Sequence, residues 1–472
     1  MLVVLYAFPA LLAMRAAVVA DPDLGWQLRA GQWIWQHRAL PVTDPFSAYG
    51  AGRPWVAYSW LFEAVLYGLD RLLSLTGIMV YVAGLTTLIA VCLHRLISRV
   101  QANFAIGYGL TAAGLLAMAP MYMPRPWLLS ILFFILTTDI VLQARRSAGG
   151  RRLWLLAPLF AIWANIHVQF LYAFPVLAVA TLEPLLNRLF KSKMREGSQA
   201  LLRADIGVAT LGCLAATLLN PYGWKVYRVI AEYAAQPAPF DFVQELQAPS
   251  FRSFPDWIFL LVLLTAAWVI GRRRKLEPFP LLLLLAGALL SFRARRDIWF
   301  SMVIALPIVA GWYDQSGAWS ARFVPGRRRL VAVFVAVCAV LAVAGRLRGL
   351  TESKLQESLA ATYPVRAVEI VKQRGYSGPL FNDFDWGGYL IWQLPQLKVS
   401  MDGRTNLHGE QRIKRHFATW MGGPDWQSDP ELSAANLVIA NARLPLTALL
   451  RTDSRFKLAY QDRVSAVFVR KK

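Results

Sequence analysis

Two short strings of this chain carry side chains whose types and spacing suit chemistry at a membrane edge. Asp21 and Asp23 stand in Asp21-Pro22-Asp23-Leu24-Gly25-Trp26-Gln27-Leu28-Arg29, where the first apolar stretch meets water. Charge beside hydrocarbon is costly, so it pairs, faces a cavity or takes part in a reaction. A partly desolvated carboxylate is also more basic than one in water, which suits proton abstraction. The second string holds Arg293, Arg295 and Arg296, followed by Asp297. Arginine forks match phosphate oxygens two at a time and stay charged in any surroundings. Arg125, in Pro124-Arg125-Pro126 at another turn, is a candidate to join them, and Asp297 to neutralise one of them. The plainer alternatives are a solvated helix end for the acids and head-group anchoring for the arginines.

Those groups need elements to hold them, and composition says which kind. Of 472 residues 57% are hydrophobic and 17% charged, with 18 Trp and 25 Phe, a balance that soluble domains do not reach. Hydropathy predicts about eleven membrane spans. They fall near residues 2–20, 76–94, 104–121, 127–144, 153–167, 169–187, 205–219, 256–271, 278–292, 298–312 and 330–346. Basic clusters occupy alternate connections: Arg95 and Arg99; Arg145, Arg146, Arg151 and Arg152; Arg188, Lys191, Lys193 and Arg195; Arg272 to Arg274 with Lys275; Arg327 to Arg329. By the positive-inside rule these loops and the N-terminus are cytoplasmic, which puts the acids, the arginine trio and the C-terminal tail outside. The expected localisation is an inner or plasma membrane. Arg15 in the first span, with no small-residue cleavage site after it, reads as a retained anchor.

The formal charge of +22 therefore sets topology and attracts anionic lipid; it excludes nucleic acid as the expected partner. Cys92, Cys213 and Cys338 all lie in apolar stretches, so neither a disulfide framework nor a cysteine metal site is expected.

The predicted fold class is a polytopic α-helical membrane protein with a C-terminal extracytoplasmic α/β domain. Residues 1–346 form the membrane domain, with structured outer loops at 21–75 and 220–255, and residues 347–472 form the soluble domain. In the first loop, Leu24, Leu28 and either Trp33 or Trp35 space as a short amphipathic helix, residues 41–54 as a turn-rich loop, and Ser59 to Leu73 as an interfacial helix. Asp44 and Glu63 read as a turn residue and a helix N-terminal acid. His167 reads as a capping or packing residue, and Asn220-Pro221-Tyr222-Gly223 as a helix stop. In the tail, helices are expected near 361–374, 387–393, 408–420 and 445–452, and strands at 379–382, 397–401, 436–440, 456–460 and 464–469.

Asp23-Leu-Gly-Trp-Gln-Leu-Arg29, followed by Thr43-Asp44-Pro45-Phe46-Ser47-Ala48-Tyr49-Gly50, resembles the first outer loop of the oligosaccharyltransferase catalytic subunit, a GT-C-class membrane glycosyltransferase. The resemblance implies a GT-C-like bundle and makes Asp23 the essential loop carboxylate, with Asp21 second. Phe242-Val243-Gln244-Glu245-Leu246 is similar to that family's Ser-Val-x-Glu loop, which would make Glu245 a catalytic residue that positions the acceptor. Asn382-Asp383-Phe384-Asp385-Trp386-Gly387-Gly388-Tyr389, with Asp402-Gly403-Arg404-Thr405-Asn406 downstream, is similar to its acceptor-reading Trp-Trp-Asp-Tyr-Gly region. On that basis Asp385, Trp386, Tyr389, Asp402 and Arg404 are acceptor-binding candidates. The Trp here follows the Asp, a different order from the family's, which puts peptide-sequon reading in doubt.

The family also places an acidic pair after its third span to hold a divalent metal. This chain has Met121-Tyr122-Met123-Pro124-Arg125-Pro126 there. No cofactor is certain from the sequence, and a divalent metal stays open. The implied activity is transfer of a sugar from a polyprenyl-phosphate or diphosphate donor, held by Arg293, Arg295, Arg296 and Arg125, to an acceptor of unknown identity. The rival expectations are a GT-C-like assembly or binding protein without catalysis, and a transporter of lipid-linked glycans; the latter lacks the internal repeat that transport folds show.

Overall fold

The structure is a computed structural model and describes residues 1–146, 150–190, 201–273, 276–313 and 326–471. Lys191, Lys193, Arg195, Arg274 and Lys275 lie outside the described residues, as do the side chains of Arg146, Arg151 and Arg327. Contacts divide the chain into two units. One comprises Met1–Met14, Val80–Gly223 and Gln244–Arg348, the other Arg15–Met79, Trp224–Val243 and Gly349–Lys472. The outer loop expected at 21–75 thus falls within a segment, Arg15–Met79, that groups with the tail.

The first unit is helical. Among the described residues five helices are long and apolar enough to cross a membrane: Trp60–Ser98, Trp127–Arg145, Val168–Leu189, Phe254–Gly271 and Arg328–Leu347. Other expected spans coincide with shorter apolar helices such as Leu2–Ala13, Phe104–Ala117 and Pro278–Arg293. Local chemistry sets their ends. Asn103 accepts the backbone N–H groups of Ala105 and Ile106 and so starts Phe104–Ala117. Ile298–Tyr313 is apolar on every side and buried through most of its length, as an all-round hydrophobic helix must be. Trp299 and Phe300 on it meet Phe134 at ring separations of 5.2 and 4.7 Å.

The second unit is built around a four-stranded sheet: β1 (Leu380–Asn382), β2 (Leu437–Asn441), β3 (Phe456–Gln461) and β4 (Ser465–Arg470), in the order β1-β2-β4-β3. β1 pairs parallel to β2, and the other two pairings are antiparallel. Phe381, Val438 and Phe468 put alternate side chains into one core with Trp420 and Leu450. Helices Val365–Gln373, Gly387–Gln393, Glu410–Trp420 and Pro445–Thr452 fall where their periodicity places them. The strand expected at 397–401 does not form. Val399 makes a single bridge to Ser47, and the Asn382 side chain claims the backbone N–H of Ser400 at 2.9 Å, which takes it out of any ladder. In the long helix Trp60–Ser98, Ser74 at φ 52°, ψ −148° breaks the helical path where the interfacial helix was expected to end.

Candidate functional site

In the first unit a short 3-10 turn, Arg295–Asp297, joins helix Pro278–Arg293 to helix Ile298–Tyr313. It is pinned from both sides. The N–H groups of Arg295 and Arg296 donate to the carbonyls of Gln247 (2.8 Å) and Glu245 (3.0 Å), and the Ser291 hydroxyl donates to the Asp297 carbonyl at 3.1 Å. This backbone stitching sets Glu245 beside Arg296 (3.9 Å), and Arg125 reaches the same carboxylate from its own turn (3.7 Å). Arg125 is buried, its guanidinium 5.2 Å from the Trp127 ring. Three residues singled out separately in the sequence therefore meet. Arg295 instead turns to Asp256 (3.2 Å) and Ser253 (2.9 Å), and Arg293 is exposed.

The lengths of these pairs matter. Charge-assisted hydrogen bonds run about 2.7–2.9 Å, so both arginines sit at ion-pair range from Glu245 without closing on it. One carboxylate thus faces two guanidinium groups. Asp297 is buried and accepts from the Tyr172 hydroxyl at 2.9 Å; burial lifts its carboxyl to about 6, against the pull of Arg296. His167 is buried and shares a hydrogen bond with the Ser130 hydroxyl at 2.9 Å. Sequence reading had His167 as a packing residue and missed Tyr172, which a lone aromatic in an apolar run gives no reason to choose.

In the second unit Asp21, Asp23 and the tail motifs pack together. Asp21 is buried and accepts the Asp23 N–H at 2.9 Å, just ahead of helix Leu24–His37. The Asp23 carboxylate rests against Gly403, where any Cβ would collide with its Oδ1. Gly388 likewise lets the tail approach the carbonyl of Pro22. The Gly-Gly pair and the Asp-Gly-Arg string thus form the seat of the Asp-Pro-Asp loop. Asp21 and Tyr389 also line a cavity of about 230 Å³, where Tyr389 stacks on Tyr363 at 4.7 Å.

Three of the tail residues expected to contact an acceptor are buried. Arg404 donates to Asp402 (2.8 Å) and Asp44 (2.7 Å), and all three are at most 2% exposed. The neighbouring Arg404 and His408 hold the Asp402 carboxyl well below the carboxylate range in spite of its burial. Trp386 is buried too, its indole N–H on the Thr362 carbonyl at 3.2 Å. Arg404 in this way holds the loop residue Asp44 to the tail. Asp44, read as a turn residue, does make its turn, accepting from Phe46 and Ser47. Asp385 is exposed, and its N–H reaches the Asp383 carboxylate at 3.4 Å; burial and Asp385 lift Asp383 to about 7.

Among the described residues no three His, Cys, Asp or Glu side chains converge to hold a metal ion.

No family model and no curated relative matches the sequence. Solved structures do match the fold. The archaeal oligosaccharyltransferase AglB from Archaeoglobus fulgidus, in complex with an inhibitory peptide and a dolichol-phosphate, superposes with a TM-score of 0.54 at 9% identity, over 92% of this chain and 69% of that one. An acceptor-peptide-tethered oligosaccharyltransferase from the same organism gives 0.52 at 10%, over 93% and 69%. ArnT from Cupriavidus metallidurans in the apo state gives 0.51 at 16%, over 99% of this chain and 97% of that one. The fold is that of the GT-C membrane glycosyltransferases. Together with the apolar helices, it makes this chain an integral membrane protein.

Proposed function

We propose that this protein transfers a sugar from a polyprenyl-phosphate or diphosphate donor to an extracytoplasmic acceptor, with its N-terminus in the cytoplasm and its tail outside. The observation that carries the reading is the convergence of Arg125 and Arg296 on a single carboxylate, Glu245. A site with two fixed cations and one loosely held anion suits the phosphate of a lipid donor, with Arg293 at its edge. The two cations would stabilise the negative charge that grows on the leaving phosphate as the sugar–oxygen bond breaks.

In this proposal the acceptor's hydroxyl or amide attacks the anomeric carbon while its proton passes to Asp23, and the bonding pair of the sugar–phosphate bond leaves with the phosphate. Direct displacement inverts the anomeric configuration. Asp21 fixes the backbone of Asp23 through the hydrogen bond described above. Glu245 keeps the two arginines in place and orients the acceptor. Asp385 and Tyr389 remain the acceptor contacts of the tail. No step passes through a metal.

Purified protein incubated with labelled polyprenyl-phosphate sugars should release lipid phosphate and form a labelled product. Asp23→Asn should bind the lipid and abolish transfer. Unchanged turnover in that variant would reject the base assignment, and donor binding without any release by the unaltered protein would leave a binding protein in place of an enzyme.

A further inference from the structure

One face of the second unit is built with the opposite charge economy to its interior. A groove of about 520 Å³ is lined by Arg29, Gln32, Lys372, Trp392, Gln393 and Gln396. It contains two cations, three amides, one indole and no carboxylate. The buried cations of the unit's interior are matched: Arg404 with Asp44 and Asp402, and Arg412 with Glu431. Arg29 is half-buried, and its guanidinium donates to the neutral carbonyl of Gln32. Among the described residues neither Arg29 nor Lys372 makes an ion pair.

A half-buried guanidinium answered by an amide alone has lost water without gaining a counter-charge, which is unfavourable. Burial accordingly pulls the Arg29 pKa down. Such an arrangement is compensated by an anion from outside the chain. The remaining lining says what kind. Each glutamine presents both a carbonyl acceptor and an NH2 donor, the pairing that hydroxyl groups use. Trp392 offers an apolar face with a polar edge, and the Tyr67 ring set edge-on at 6.2 Å braces it. The volume lies inside the roughly 300–1,000 Å³ range of small-molecule sites.

We propose that this groove binds a saccharide bearing phosphate or carboxylate groups, with Arg29 and Lys372 on the anion, the glutamines on hydroxyls and Trp392 against a sugar face. Within the transferase reading, on which only this clause rests, the bound saccharide belongs to the acceptor.

The test is calorimetric titration of the full chain in neutral detergent with trigalacturonate, with maltotriose as the uncharged counterpart and phosphatidylglycerol micelles as the lipid counterpart. Saturable trigalacturonate binding at least tenfold tighter than maltotriose, weakening as salt rises, is expected. Lys372→Gln, at an exposed position, should weaken it severalfold with an unchanged melting temperature, and Arg29→Gln at least tenfold. Equal affinity for both trisaccharides, or no loss in Lys372→Gln, overturns the proposal. So does binding to phosphatidylglycerol alone, which would make the groove a bilayer contact. No donor or turnover enters the measurement, so absence of transferase activity leaves its outcome standing, and transfer to an uncharged acceptor with no trigalacturonate binding refutes only the groove.

Discussion

The two units each hold a cluster of arginine and carboxylate, and the clusters differ in closure. Around Arg404 the pairs are 2.7 and 2.8 Å long, every member is buried, and acids outnumber the base. Around Glu245 the pairs are 3.7 and 3.9 Å, and Arg296 keeps 27% of its side-chain surface. A closed, buried cluster is a fastener, because its hydrogen bonds are spent within the fold. An open, partly exposed one has capacity left for a ligand. Residue type alone does not separate the two roles; burial and length do.

The sharpest way to break this contrast is Arg404→Met. It strands Asp402 and Asp44 in a dry interior, and losing one member of a buried pair costs about 3–5 kcal/mol. Thermal unfolding and limited proteolysis should report a destabilised tail, and a melting temperature equal to the parent's would make the closed cluster dispensable. Arg296→Ala should do the reverse: less than about 1 kcal/mol in stability, as for other loose, half-exposed pairs, and at least tenfold weaker binding of polyprenyl phosphate. Comparable losses of stability in both variants would erase the distinction. Gly403→Ala tests the seat of Asp23, since its methyl meets that carboxylate; a severalfold loss of turnover with donor-lipid binding retained is expected.

A further effect is on pH dependence. Asp297 titrates near 6 in the fold, above its ordinary value, because burial penalises the charge. A raised carboxyl binds its proton more tightly folded than unfolded, so its contribution is complete below about pH 3.9 and is lost as pH rises through 6. Melting curves between pH 4 and 8 should show that decline in the parent and its absence in Asp297→Asn.

Much of this arrangement was legible in the sequence. The tail's strands stood out as short apolar runs between helical segments, Arg296 by charge set against apolar surroundings, and Glu245 by the likeness of its loop to the Ser-Val-x-Glu loop. Pairing across distance was not legible. Nothing near Asp44 signals that its counter-ion is Arg404, and nothing in Asp402-Gly403-Arg404 says that these charges face inward, because local spacing carries no information on burial. The expected strand at 397–401 failed for a related reason: its β-type pattern is real, but one asparagine side chain outcompetes the neighbouring strand for its backbone. Tyr172 and the groove beside Trp392 depend on packing alone.

The link between Asp44 and Arg404 joins residues 360 positions apart. At synthesis rates of about 5–20 residues per second, roughly 20–70 s separate their emergence from the ribosome. During that interval the early acid and the loop around it wait unfinished, and only the final stretch of translation completes them. A prematurely terminated chain would therefore forfeit the organisation of its own beginning, and such fragments would be marked for degradation by the region made first.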